Sequence, residues 1–362
     1  MYSKKNIVNS IILVMGILMA FSCKKEEDAI SPENVEEWTY FSTDNGLPSN
    51  QINCIAEDSL HNIWIGTNKG LAKYDGSTFT YYSTKTGLPS DNIYSLLCSS
   101  NNVLFVGTQH GVCRISPKGN CFCDLKKSNL NCLKFCEYDF GNMVACASSY
   151  GYFIFDFKKS IIHPVIIDST KVDGITYLDP VYDIVNRKDS IWVAAKKGIY
   201  VFTPTQFTNE ELGIQNVNHL ITNKELGIQN VNHLFNDRSD NLWLTSSNDS
   251  KLMLYNGSEF TNDKLFVGYN NYKAFVQDRY NNYWVSIYGY GVLNYGGGMT
   301  KVYNTASSSI LSDNINALFF DSKNNLWLGS NDKGLMCFKN IKPLQFDTGD
   351  NVGSNSALNN NF

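Results

Sequence analysis

Acid–base chemistry at neutral pH most often uses histidine, and the chain has five: His61, His110, His163, His219 and His233. None stands in the spacing of a serine, cysteine or metal signature. His110 is the best single candidate for a catalytic acid or base. Spacing alone does not exclude an enzyme, because a site can be assembled from distant parts of a chain. A histidine paired with an acid, or two acids in one pocket, would point to a hydrolase or lyase. A face of amides and aromatic rings would point to binding.

Metal and thiol chemistry are the next possibilities. Four aspartates, Asp58, Asp237, Asp278 and Asp321, each stand four residues before an asparagine and six before a tryptophan. Asp237-Arg238-Ser239-Asp240-Asn241 has the start of a calcium loop. It has Leu242 where the sharp turn needs glycine, and no bidentate glutamate follows. A turn whose aspartate accepts from nearby backbone N–H groups is the better reading. Besides Cys23 there are nine cysteines, and Cys113, Cys121, Cys123, Cys132, Cys136 and Cys146 crowd one region. Zinc knuckles would need Cys-x-x-Cys pairs, which neither Cys121/Cys123 nor Cys132/Cys136 supplies. For a hairpin turning at Lys118-Gly119, alternation predicts that Cys113 faces away from Cys121 and Cys123. The cysteines are therefore expected to be mostly buried thiols, with Cys136 in the place of Ile55 in its repeat. No metal or cofactor is expected.

The elements that would position any site follow from a repeat. Ile52-Asn53-Cys54-Ile55-Ala56-Glu57-Asp58 is followed by Asn62-Ile63-Trp64-Ile65-Gly66-Thr67 and Gly70-Leu71-Ala72-Lys73-Tyr74. The last copy runs from Ile315 through Trp327 to Met336. The tryptophan position is filled by Trp64, Phe105, Ala145, Trp192, Trp243, Trp284 and Trp327, at steps of 41, 40, 47, 51, 41 and 43 residues. Such a period, with β-branched and aromatic residues in short runs, is that of propeller blades. The prediction is an all-β fold: a single seven-bladed β-propeller of four-stranded antiparallel blades. Trp38-Thr39-Tyr40-Phe41 is expected to complete the last blade and close the ring, with Leu344-Gln345-Phe346 competing for that edge. Thr208–Ile221 and Thr222–Phe235 match at twelve of fourteen positions. Only the second copy has the repeat spacing. The first is expected to be an insertion on the loop-rich face, where Asn216, Asn218 and His219 could line a site.

Asn45-Gly46-Leu47-Pro48-Ser49-Asn50-Gln51-Ile52, followed by Trp64-Ile65-Gly66-Thr67 and Gly70-Leu71, resembles the two-component regulator propeller repeat. Thr86-Gly87-Leu88-Pro89-Ser90-Asp91-Asn92-Ile93 repeats it, and Leu311-Ser312-Asp313-Asn314-Ile315 echoes it. The resemblance implies a sensor-type propeller like the periplasmic regions of Bacteroidetes hybrid histidine kinases. Blades three and four depart from the pattern: Ala145 replaces the tryptophan, and no Gly-Leu-Pro precedes blade four. No kinase, receiver or DNA-binding segment follows the repeats, so a signalling output would need a separate partner.

In the usual strand order, the links between blades and those between second and third strands share one face. Loops on a rigid scaffold are the natural place for ligand contacts. Asn68, Lys69, Gln109, His110, Tyr150, Lys196, Lys197, Asn248, Tyr288, Tyr290, Asn331, Asp332 and Lys333 are expected there. Amides and aromatic rings suit a glycan, a peptide or a protein partner.

The remaining signals concern location. Lys4 and Lys5 precede an apolar stretch, Ile7–Met19, that has the length of a secretory signal core. It ends in Ala20-Phe21-Ser22-Cys23, which resembles a bacterial lipobox with Cys23 as the lipidated residue. Lys24-Lys25-Glu26-Glu27-Asp28 resembles the surface-export signal of Bacteroidetes lipoproteins. The expected organisation is a signal peptide over 1–22, a flexible tether over 23–36, the propeller over 37–346 and a disordered tail over 347–362. Membrane contact is expected through the lipid anchor alone, at the outer membrane, cell surface or periplasmic side. Thirty basic and 34 acidic residues give a net charge of −4, with no basic stripe, so nucleic acid is not an expected partner. The expected function is ligand or partner binding without catalysis; the alternative is a propeller hydrolase or lyase.

Overall fold

The structure, a computed structural model, describes residues 36–126, 131–138, 143–148, 151–156, 161–165, 169–172, 175–178, 180–188, 190–202, 219–226, 231–246, 252–262, 269–339 and 341. The expected signal peptide, Cys23, the expected tether up to residue 35, Leu344-Gln345-Phe346 and the expected tail lie outside them. Among the described residues, no helix is long and apolar enough to cross a membrane.

The described chain is a β-propeller. Its inner strands are Ile52–Glu57, Ile93–Cys98, Cys132–Tyr138, Val181–Arg187, Val231–Asn236, Tyr272–Gln277 and Ile315–Phe320. Each contacts the inner strand of the next sheet, and the last contacts the first. The second strands explain why single blades cannot stand alone. Ile63–Thr67 is buried at all five positions, as are Leu104–Thr108, Leu242–Ser246 and Leu326–Ser330. Alternate side chains point to opposite faces. Ile63 and Ile65 pack with Trp327 and Leu335 on one side, while Trp64 packs with Ile93 and Leu104 on the other. Burying each large apolar side chain contributes about 1.5–3 kcal/mol, and most of that is gained only when blades stack.

The expected count of seven blades is corrected to six self-contained blades and one composite closing sheet. Six sheets consist of four consecutive strands each. The closing sheet contains Ile315–Phe320, Leu326–Ser330 and Leu335–Lys339. Its fourth strand is Glu37–Phe41, antiparallel to Leu335–Lys339 with Trp38 opposite Phe338. These two rings stack at 4.5 Å and 7°. The seam is also held on the turn face, where the Ser322 N–H and Oγ both donate to Glu57 at 2.7 Å. A separate two-stranded ribbon, Ser169–Val172 with Ile175–Leu178, stands in the link between blades three and four.

The first copy of the duplication is not wholly an insertion before blade five. His219–Thr222 forms the outer strand of blade four, with His219 opposite Val201. An unpaired edge at Gly198–Phe202 needed a partner, and this segment supplies it. His219 therefore sits at the rim, away from the axis. Asn216 and Asn218 lie outside the described residues.

Two cysteine placements are also corrected. The hairpin loop is longer than a Lys118-Gly119 turn, because Ser116 N–H bonds Asn120 O and Ile115 pairs with Cys121. Cys113 consequently lies opposite Cys123, on the same face as Cys121. Phe135, not Cys136, takes the place of Ile55; Cys136 stands opposite Ala145, as Ala56 stands opposite Trp64. Cys113, Cys132, Cys136, Cys146 and Cys337 are buried thiols. Burial pushes the Cys136 and Cys146 thiols well up and Cys337 up to about 12.

Candidate ligand-binding site at the axis

The turn face is spent on structure. Asp278 Oδ1 accepts from the Tyr280 and Asn282 N–H groups, and Oδ2 accepts from Asn282 Nδ2 and Trp284 Nε1 at 2.9 and 3.0 Å. Asp58, Asp237 and Asp321 repeat the arrangement, with Trp Nε1 contacts of 2.8, 3.0 and 2.9 Å. The fourth residue of each turn, His61, Asp240, Asn281 or Asn324, has φ near +60°. Asn and Asp tolerate that conformation best among side-chain-bearing residues. The Asp237 carboxylate accepts five hydrogen bonds, including one from Tyr283 Oη, which leaves little capacity for calcium. His61, Glu57 and Ser322 also meet on this face, with Nδ1 3.0 Å from Glu57 Oε1 and 2.9 Å from Ser322 Oγ. Both contacts fall on the same ring nitrogen. A triad needs the two nitrogens divided between serine and carboxylate, so this group is a structural latch.

The loop-rich face surrounds an axial channel. Every inner strand carries a bulge at its second residue: Asn53, Tyr94, Leu133, Tyr182, Asn232, Lys273 and Asn316. A bulge leaves one residue outside the ladder and re-aims its side chain. Six of these side chains line a cavity of about 380 Å³; the seventh, Asn232, instead accepts from Thr245 Oγ1 at 3.0 Å. That volume lies in the range of small-ligand sites.

The channel has two unlike sides. On one, a polar band runs through blade six, the closing sheet, and blades one and two. Lys273 Nζ lies 5.6 Å from the Tyr288 ring centroid. Asn331 Nδ2 is 3.4 Å from Tyr288 Oη, and Asn316 Nδ2 donates to Asn331 Oδ1 at 3.3 Å. Asn53 Nδ2 donates to Ile93 O at 2.7 Å, and Asn92 Nδ2 to Tyr94 Oη at 3.2 Å. On the other side, the third residues of three successive inner strands are Lys134, Asp183 and His233. Asp183 is 3% exposed. It accepts from the Ile184 N–H at 2.8 Å and, across the blade boundary, from the Leu234 N–H at 2.9 Å. His233 Nδ1 lies 3.7 Å from its Oδ2. Burial works to raise the Asp183 pKa, but the charge of Lys134, His233 and the Leu234 N–H outweigh it and hold the carboxyl below its usual range.

None of the described loop residues expected to bind ligand lines the cavity itself. Tyr288 and Asn331 join the polar band. Tyr290 is 54% exposed and meets Tyr269 edge-on at 5.7 Å. Asn68 Nδ2 is held by Gln51 Oε1 at 2.9 Å, and Asp332 Oδ1 accepts from Ser312 Oγ at 2.6 Å. Lys69, Lys196, Lys197 and Lys333 are exposed on the links, while Gln109 and His110 are half-buried beside Thr108. Tyr150 and Asn248 lie outside the described residues. The Gly-Leu-Pro-Ser links are anchored: Leu47 and Leu88 are buried, and Asn50 and Asp91 bind the Thr43 and Thr84 N–H groups.

Sequence reasoning missed Lys134, Asp183 and His233. A signal was present in the aligned inner strands. Their third residues are Cys54, Ser95, Lys134, Asp183, His233, Ala274 and Ala317, and only blades three to five carry long polar groups. Opposite Cys54, Ser95 and Ala317 stand Gly66, Gly107 and Gly329. A Cβ on Gly66 would lie 2.8 Å from Ile93 Cγ2. Opposite Lys134, Asp183 and His233 the glycine gives way to Ala147, Ala194 and Thr245.

Comparison with known proteins gives the following. The two component regulator propeller family model matches residues 46–69 and 309–332. No curated protein matches the chain. Among solved structures, a protein described as the extracellular domain of a hybrid two-component system from B. thetaiotaomicron superposes with a TM-score of 0.68 at 15% identity. That match covers 85% of this chain and 42% of that one. A catalytically inactive histidine-to-alanine variant of virginiamycin B lyase from Staphylococcus aureus, with quinupristin, gives 0.63 at 13% identity, covering 85% of this chain and 100% of that one. PorZ, a surface component of the type-IX secretion system of Porphyromonas gingivalis, gives 0.57 at 16%, covering 83% and 47%. At such identities the likeness is one of fold, and the chain spans about two fifths of the length of the two-component structure. The repeats are the more specific finding: this chain is a β-propeller that carries two-component regulator propeller repeats.

Proposed function

We propose that the protein is a non-catalytic binding propeller that captures a glycan or peptide at the mouth of its axial channel. One observation carries this reading: the bulged inner strands aim amides, tyrosines and a lysine from separate blades into one cavity of about 380 Å³. Groups that both donate and accept, next to aromatic rings, match ligands rich in hydroxyls or amides. The proposed setting is outside the cytoplasm, with a lipid at Cys23 as the membrane attachment. The repeat family and the extracellular two-component domain of similar shape support this setting. The experiment is a glycan array with a pull-down, using the chain from Cys23 onward and following any hit for turnover. Binding without product supports the reading; product formation contradicts it.

A hydrolase or lyase is the second reading, favoured by one arrangement. Asp183 and His233 form an acid–histidine pair on the channel wall, and a lyase shares the overall shape. A His233→Ala variant that keeps ligand affinity but loses a turnover present in the parent would establish it.

A further inference from the structure

We propose that the channel selects an acidic glycan, a sugar chain whose carboxylate is held between the Lys134 side of the channel and Lys273. This rests on the reading of the channel as the ligand site and gives that ligand a charge. The charge inventory of the wall carries the argument. Among the described residues Asp183 is its only carboxylate, against two ammonium groups and the His233 imidazole. That carboxylate is not available to a ligand cation, because it is 3% exposed and engaged by the Ile184 and Leu234 N–H groups. The Lys134 side chain is exposed and has only charge–charge interactions with the groups around it, Asp183 among them. Lys273, from a blade across the ring, is exposed over Tyr288.

Charged groups of both signs surround the channel. Three aspartates on the links accept hydrogen bonds there: Asp91 from Thr84, Asp313 from Thr305 and Asp332 from Ser312. Lys69 and Lys333 remain exposed on the links. On the wall itself two ammonium groups face one carboxylate, a local balance that favours an anion. The amide and tyrosine band next to Lys273 supplies donors and acceptors for hydroxyls, and the exposed Tyr290 ring gives a flat surface for a sugar face. The band's many groups that both donate and accept favour a uronic-acid sugar, dense in hydroxyls, over a peptide.

The test is calorimetric titration of the full chain with oligogalacturonates and oligoglucuronates, each compared with its methyl ester. The ester keeps the hydroxyls and removes the charge. The proposal expects at least one acid form to bind tenfold or more tightly than its ester. A Lys134→Met/Lys273→Met variant should lose that advantage, with the ester affinity changing less than threefold. Equal binding of acid and ester would overturn the acidic preference, as would lysine variants that bind the acid unchanged or failure of both forms to bind. Whether the channel is a site at all is tested separately: any ligand found on the array should be lost on blocking the channel with Leu133→Trp. Loss there, with equal acid and ester binding, would keep the site and discard the charge preference.

Discussion

At the scale of single residues, the turn aspartates are the best-determined feature. Their role was legible in the sequence as a turn accepting backbone N–H groups. The tryptophan Nε1–H donation was not, because it depends on an aspartate and a tryptophan on adjoining strands sharing one end of a sheet. Asp278 is fully buried and accepts four hydrogen bonds. Asp278→Ala leaves those donors unpaired and should lower the unfolding free energy by about 3 kcal/mol in urea titration. Asp183 makes a pH prediction. Its folded pKa is held below the usual carboxylate value, so its stabilisation is present above about pH 4 and is lost as pH falls through the folded value. Asp58 and Asp237 are lowered in the same direction, against their burial, by their asparagine and tryptophan donors. Thermal midpoints should therefore fall between pH 5 and pH 3, and the fall should be smaller in Asp183→Asn.

At the scale of elements, the repeat made strand positions readable because its apolar runs recur at a steady period. Three assignments failed where the period is not the deciding factor. One extra residue in the hairpin loop reverses the alternation and turns Cys113 to the face of Cys121 and Cys123; loop length is not written in the strands. The first duplicated segment reads as loop in the sequence, because its neighbour has the better repeat spacing. The edge at Gly198–Phe202 nevertheless recruits His219–Thr222. Loop composition does not reveal the axial residues, because inner-strand bulges bring their side chains to the axis from within the ladder. The closing strand offers a direct check. Trp38 stacks on Phe338 and tilts against Tyr303 at 6.4 Å, covering the seam between the chain's two ends. Trp38→Ala should cost about 2 kcal/mol, less than a fully buried tryptophan, and should raise the unfolding rate more than it slows folding if the ring closes late.

At the scale of the whole molecule, the fold class was legible and the site only in outline. Polar loops on one face are visible in a sequence. A cavity made by inner strands drawn from blades far apart in the chain is a property of closure. The same closure joins a band of amides and tyrosines to a wall bearing Lys134, Asp183 and His233. The most direct measurement is the affinity of the Leu133→Trp variant for whatever ligand the parent chain captures. Leu133 is half-buried on the channel wall, and an indole there would fill the space a ligand needs. The account predicts a thermal midpoint within about 3 °C of the parent and an affinity at least tenfold lower. Undiminished affinity in a folded Leu133→Trp variant would contradict it, and would move the ligand from the axis to another surface.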